Sequence, residues 1–126
     1  MTDTPFKPVI YLMAGCPFCF KVRLFLLETG QLDHVTLREF VQGTKEQKAI
    51  GSLLARTGTR VAYPTAELTP GVLTAESDAI VAHFATRAGV AADTLPTYAS
   101  YLAGVFKSLQ LLYRENMELK RRQPAG

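Results

Sequence analysis

The run Lys7-Pro8-Val9-Ile10-Tyr11-Leu12-Met13 passes through Ala14-Gly15 into Cys16-Pro17-Phe18-Cys19, and this passage constrains the fold more than any other part of the chain. A short apolar run rich in strand formers and closed by a turn signal reads as a buried strand over Lys7–Met13. Pro17 brings a preset φ suited to the first helical position and Gly30 offers a stop, so a helix is predicted over Pro17–Thr29 with Cys16 as its N-cap. The apolar residues Phe18, Phe20, Val22, Leu24, Phe25, Leu26 and Leu27 cover most of its circumference. That leaves Lys21, Arg23 and Glu28 to solvent and predicts a helix packed on more than one side.

The pattern continues in alternating elements. His34–Phe40 places Val35, Leu37 and Glu39 on one face and Thr36, Arg38 and Phe40 on the other, which predicts a second strand. Thr44–Thr57 carries Ile50, Leu53 and Leu54 at helical spacing ahead of Gly58. Thr65–Leu68 and Val72–Ala75 flank Thr69-Pro70-Gly71 as the arms of a hairpin. Ser77 is placed to cap a third helix over Asp78–Arg87, with Ile80 and Phe84 one turn apart. After a loop over Gly89–Pro96, Tyr98–Arg122 has no proline, and Tyr98, Tyr101, Leu102, Val105, Leu109, Leu112 and Tyr113 recur at threes and fours. It reads as one amphipathic helix whose stripe, broadened by Phe106, Met117 and Leu119, packs across the domain or contributes to a dimer interface. A strand-helix-strand unit demands a parallel pair, so the α/β chain should hold a four-stranded mixed sheet, antiparallel in its hairpin half and flanked by helices.

With 126 residues, 48% of them hydrophobic, the chain suits one domain with a real core. Two cysteines this close together cannot staple distant parts of a secreted fold, and the pair reads as chemistry. The net charge of +3 is mild, and the cluster Lys120-Arg121-Arg122 complements the negative end of a helix. No basic stripe with interleaved aromatics is present, so a nucleic-acid partner is not expected. Leu24–Leu27, the longest apolar stretch of the strongest helix, falls far short of a membrane span. Met1–Pro8 carries Asp3 and two prolines without a basic or apolar leader pattern, which points to the cytoplasm.

At a helix N-terminus, orphan backbone N–H groups and the macrodipole favour a thiolate at Cys16. Cys16 is the expected nucleophile. Cys19, one turn along and more sheltered, is placed to resolve a mixed disulfide formed on Cys16, while the stiff ring of Pro17 limits how the two sulfurs approach. Two other readings stand beside this one: a pair of small buried hydrophobes, or half of a zinc site completed by His34 and His83.

Gly15-Cys16-Pro17-Phe18-Cys19 between an apolar strand and a helix resembles the active site of dithiol glutaredoxins, and Cys16–Leu24 looks like the N-terminal domain of glutathione S-transferases. Both share a thioredoxin-like fold. Tyr63-Pro64 resembles the cis-proline of that family, and Glu76-Ser77-Asp78 its acidic-Ser helix start. The resemblance implies that Tyr63 and Pro64 offer backbone to the cysteinyl part of glutathione and that Glu76, Ser77 and Asp78 hold its γ-glutamyl end. Independently, a helix N-terminus with Ser77 is suited to a carboxylate, although Ser77 also serves as a plain cap. Many glutaredoxins carry a Lys where this chain has Met13; Arg60, Lys21 or Arg23 could supply the replacement cation.

The resemblance divides the chain into a glutaredoxin-like domain over residues 1–90 and a linker with a helix over residues 91–126. That helix looks like the truncated start of the transferase helical domain. The expected activity is glutathione-dependent reduction of disulfides or glutathionylated proteins, with glutathione as cosubstrate and no metal. The alternatives are a glutathione- or partner-binding module, with the dithiol as a redox switch or an iron-sulfur cluster bridging two chains, and a transferase fragment. A homodimer through the last helix is expected from its stripe with Tyr101, Phe106 and Tyr113.

Overall fold

The computed structural model describes residues 6–123, so residues 1–5 of the stretch read for leader signals lie outside it. Strand β1 (Val9–Met13) runs directly into α1 (Pro17–Glu28), followed by β2 (Thr36–Phe40), α2 (Lys45–Arg56), β3 (Thr65–Thr69), β4 (Val72–Ala75) and α3 (Ser77–Ala88). The four strands form one sheet in the order β2-β1-β3-β4. β1 lies parallel to β2, with Val9 opposite Thr36, and antiparallel to β3, with Ile10 opposite Ala66. The β3–β4 hairpin closes the sheet with an irregularity between Glu67 and Thr69. This is the mixed sheet that the element order demanded, in the thioredoxin-like arrangement that the resemblance implies.

The period-two pattern of β1 divides the core. Ile10 and Leu12 point to one face, where Val22, Phe25 and Leu26 of α1 meet Ile80, Val81 and Phe84 of α3. Tyr11 points to the other, where it joins Phe40 of β2 and Ile50 and Leu54 of α2. Each fully buried Leu, Ile or Phe in these layers contributes roughly 1.5–3 kcal/mol of transfer free energy. The faces assigned to the second strand hold, with Val35 and Leu37 against the first layer and Phe40 in the second. His34 is not a strand residue, because the chain first makes a 3-10 turn over Leu32–His34.

Three local expectations are corrected. Lys21 is not on a solvent face but 4% exposed, while Phe18, Phe20 and Leu27 are exposed. Its ammonium pairs with Asp78 and lies 5.2 Å from the centre of the Phe106 ring, which compensates the burial of the charge. Ser77 does not cap α3: it is the first helical residue, and Glu76 holds the N-cap position with φ of 81°. The last helix begins earlier than expected and is not uniform. It runs as α4 (Pro96–Tyr101), a π turn over Leu102–Phe106 and α5 (Lys107–Arg122). A π turn inserts an extra residue per turn and resets which side chains face the body.

α4 is bound tightly to α1. The Glu28 carboxylate accepts the N–H groups of Thr97 and Tyr98 at 2.9 and 2.7 Å, supplying the cap that the α4 terminus lacks in its own sequence. Tyr98 packs edge-on against Phe25 in the core. α5 has no buried residue, and Leu109, Leu112, Tyr113, Met117 and Leu119 are exposed along it. Among the described residues no helix is long and apolar enough to cross a membrane.

Candidate active site

The site grows out of the β1–α1 junction. Gly15 turns the chain with φ of 82°, a conformation in which a side chain would be strained, and delivers Cys16 to the N-cap of α1. Cys16 is partly exposed and free, and Cys19 is free and 2% exposed. The Cys19 sulfur accepts the Met13 N–H at 3.3 Å, which anchors it against the end of β1. The Cys19 thiol, hydrogen-bonding to Cys16, lowers the Cys16 pKa to about 6; burial opposes the shift, and the N–H groups of Cys19 and Phe18 add to it. Cys19 moves the other way, held as the neutral thiol by its bond to Cys16 and by burial. The two sulfurs are therefore unequal, Cys16 favouring the thiolate and Cys19 the neutral thiol.

Two hollows meet at Phe18. One, of about 590 Å³, is lined by Met13, Gly15, Cys16, Pro17 and Phe18 on one side and by Leu109, Gln110, Tyr113 and Arg114 of α5 on the other. The second, of about 450 Å³, is lined by Phe18, Arg60, Ala62, Tyr63, Pro64 and Ala75–Asp78. The structure thus brings Tyr63, Pro64, Glu76, Ser77 and Asp78 together in one hollow, with Cys16 across Phe18 from them. The Tyr63–Pro64 peptide bond is cis. The Tyr63 ring packs on Phe40 at 4.7 Å, and burial raises the pKa of its hydroxyl, which has no partner among the described residues.

At the start of α3, Glu76 takes a positive φ of 81° in a region that residues with a side chain rarely adopt, at a cost of about 1–3 kcal/mol. It turns the chain so that Ser77 is buried along the hollow while Glu76 and Asp78 are exposed. The first N–H groups of a helix lack partners within it, so this end is suited to an anionic group. Of the candidate cations, Lys21 is committed to Asp78 and Arg23 pairs with Glu39 at 2.9 Å on the other side of the site. Arg60 is the one that lines the hollow. No group of three or more His, Cys, Asp or Glu side chains among the described residues is placed to hold a metal ion.

Comparison with known proteins adds the lineage. Residues 10–92, well over half of the chain, match the model for the glutathione S-transferase N-terminal domain. The chain belongs to that family. Among solved structures, a possible glutathione S-transferase from Rhodopseudomonas palustris is 22% identical with a TM-score of 0.51, covering 69% of this chain and 42% of its own. A glutathione S-transferase from the Antarctic clam Laternula elliptica is 27% identical with a TM-score of 0.43, covering 67% and 36%. A glutathione transferase Omega 2C from Trametes versicolor is 22% identical with a TM-score of 0.44, covering 75% and 40%. The chain spans less than half the length of these structures, and the first supports the shared fold. A search of curated proteins gives no match.

This glutathione S-transferase N-terminal domain has a wall that the sequence did not announce. The Tyr101 hydroxyl donates to the Pro17 carbonyl at 2.9 Å, and Phe106 meets Phe18 edge-on at 5.1 Å. Periodicity marked both residues only as part of an apolar stripe, because a π turn leaves no signature in the spacing of side chains. Tyr113 and Arg114 were likewise missed as neighbours of Cys16; Arg114 carried no signal beyond its charge.

Proposed function

We propose that this chain is a glutathione-dependent thiol-disulfide oxidoreductase acting through Cys16 and Cys19. The observation that carries this reading is the inequality of the two sulfurs: a partly exposed Cys16 with its pKa lowered to about 6, backed by a buried neutral Cys19 one turn away. The Cys16 thiolate attacks a sulfur of a disulfide or a glutathione mixed disulfide, forming a new S–S bond and expelling the other thiolate. Where the attack on a glutathione mixed disulfide leaves glutathione on Cys16, a second glutathione thiolate attacks that glutathione sulfur, releasing oxidised glutathione and regenerating the Cys16 thiolate. On an ordinary disulfide, Cys19 loses its proton, attacks the Cys16 sulfur and expels the bound thiolate; two glutathione molecules then reduce the Cys16–Cys19 disulfide in turn, leaving as oxidised glutathione.

Glutathione is the cosubstrate in this reading. The Tyr63 backbone beside Pro64 receives its cysteinyl part, Ser77 and the free N–H groups of α3 receive the γ-glutamyl carboxylate, and Arg60 supplies a cation. Residues 1–90 carry the chemistry, and residues 91–126 contribute the linker and the helix that walls Cys16. Free thiols suit a reducing compartment such as the cytoplasm. Association of two copies through α5 belongs to the same reading. Leu109, Leu112, Asn116 and Leu119 recur at alternating threes and fours, as in the seam of a paired helix. Glu115 and Lys120, which make no ion pair among the described residues, meet across a parallel pair. Tyr101 and Phe106 are not part of that seam, since both turn toward α1.

Family membership favours a second reading, conjugation of glutathione to an electrophile in the groove beside α5. Reduction of a small glutathione mixed disulfide, coupled to NADPH and glutathione reductase, separates the two. Turnover lost in Cys16→Ser supports the reductase, whereas conjugation of an electrophilic test substrate without disulfide reduction overturns it.

A further inference from the structure

The C-terminal helical segment touches the redox turn at four successive places. The Tyr101 hydroxyl holds the Pro17 carbonyl at 2.9 Å, and the Tyr101 ring lies edge-on to Phe20 at 5.1 Å. Phe106, buried at the end of the π turn, packs edge-on against Phe18 at 5.1 Å and lies under the Lys21 ammonium. Phe106 and Tyr101 also support each other at 5.5 Å.

The Pro17 carbonyl and the Phe18 N–H belong to one planar trans peptide, in which the C=O and N–H point in opposite directions. The helix already holds this carbonyl from within, so a second donor on it adds to that hold and polarises the N–H on the other side of the peptide. Phe18 is the second residue of α1, so its N–H has no partner within the helix and lies at the end where Cys16 is the N-cap; no side-chain hydrogen bond closes that cap, and Tyr101, Pro17 and Cys16 line one hollow there. We propose that Tyr101 is a positioning residue for the nucleophile: its hydroxyl, bonded to the Pro17 carbonyl beside Cys16, steadies the Pro17–Phe18 peptide at the helix end and polarises the Phe18 N–H, which becomes available to the Cys16 sulfur as an anion forms. Hydrogen bonds in series through one peptide strengthen each other. Supporting this, the Phe18 N–H is among the groups that favour the Cys16 thiolate. The Tyr101 hydroxyl keeps its proton over a wider pH range than usual, through burial and the nearby Cys16 charge, so it acts as a donor throughout.

The other ionisable groups around Cys16 are Cys19 on its own helix, the Arg23–Glu39 pair from α1 and β2, and Arg114 from α5. Tyr101→Phe leaves all of them in place and keeps the ring that packs on Phe20 and Phe106. Ultraviolet titration of the Cys16 thiolate should show its midpoint rising by about half a pH unit, roughly a threefold loss of thiolate at a given pH below the midpoint. Tyr113→Phe removes a hydroxyl from the same groove but not from the peptide, and should leave the midpoint unchanged. An unchanged midpoint in Tyr101→Phe, or an equal shift in Tyr113→Phe, overturns the proposal. Should Tyr101→Phe fail to fold, the Phe18 amide proton of the unaltered chain decides: it must move with the Cys16 titration, and independence from it overturns the proposal. The inference rests on the reading of Cys16 as the nucleophile. The titration uses no glutathione and no disulfide substrate, so its failure is distinguishable from a failure of reductase activity.

Discussion

The Lys21 ammonium, enclosed on α1, meets the Asp78 carboxylate at the first turn of α3, so the helix that carries both cysteines is tied by charge to the end of the helix that carries Ser77. Removing one member of such a pair leaves the other without compensation, and the enclosed member suffers more. Asp78→Asn should destabilise the fold by about 1–3 kcal/mol, less than for a fully buried pair because Asp78 itself is open to water and the Phe106 ring still faces Lys21. Lys21→Met should be far milder, since it removes the charge that needs a partner. Urea unfolding of the two variants would refute this assignment if Asp78→Asn proved as stable as the unaltered chain.

A Cys16 pKa of about 6 fixes the pH dependence of its reactivity. Lowering the pKa of an acid enlarges its anionic fraction at neutral pH, so alkylation of Cys16 should rise through about pH 6 and level off by about pH 7. Cys19 should resist the reagent across this range, because burial and its bond to Cys16 keep it neutral. A single rise near the ordinary thiol range, measured by mass spectrometry of the labelled chain, would contradict the assignment.

Ser77 and Arg60 are expected to act on glutathione rather than on the sulfur chemistry. A hydrogen bond to a charged group contributes about 1.5–3 kcal/mol, so Ser77→Ala should raise the KM for glutathione by roughly tenfold or more with little change in kcat. Arg60→Ala should act in the same direction. A fall in kcat at unchanged KM in either variant would place that residue in the chemical step instead.

Cys16→Ser should bring mixed-disulfide reduction down to the uncatalysed rate, whereas Cys19→Ser should retain it, because free glutathione can replace the second thiol. Loss of both activities in equal measure would mean that the dithiol acts as an obligate pair.

The α5 seam predicts that the chain associates in solution. Leu112→Glu should shift the mass seen by light scattering toward the monomer, and a monomer at all accessible concentrations of the unaltered chain would exclude the seam as an interface. Low salt should strengthen the association if Glu115 and Lys120 pair across it.

Much of this architecture was legible in the sequence because local and global signals agree. The passage from Met13 through Gly15 to Pro17 fixes a strand, a turn and a helix start, and the alternation in β2 correctly divides Leu37 from Phe40. The placement of the candidate residues was legible at Cys16, where a turn leads into a helix start; the cis bond at Tyr63-Pro64 followed the resemblance, and Ser77 was placed at the start of α3 but wrongly as its cap. Placement was not legible at Lys21, whose burial depends on a partner 57 positions away and on a ring in the π turn. Nor could side-chain spacing show that Tyr101 and Phe106 turn inward. Charge pattern on one helix says nothing about what another helix places over it.

Phe18 stands at the meeting of the two hollows, with Cys16 on one side and the Ser77 end on the other. A molecule that grips the α3 terminus and reacts at the Cys16 sulfur reaches from one hollow into the other past Phe18. The arrangement acts as a gauge of reach: a ligand confined to one hollow meets only the residues that line it, whereas one that extends through both meets the sulfur and the helix end together.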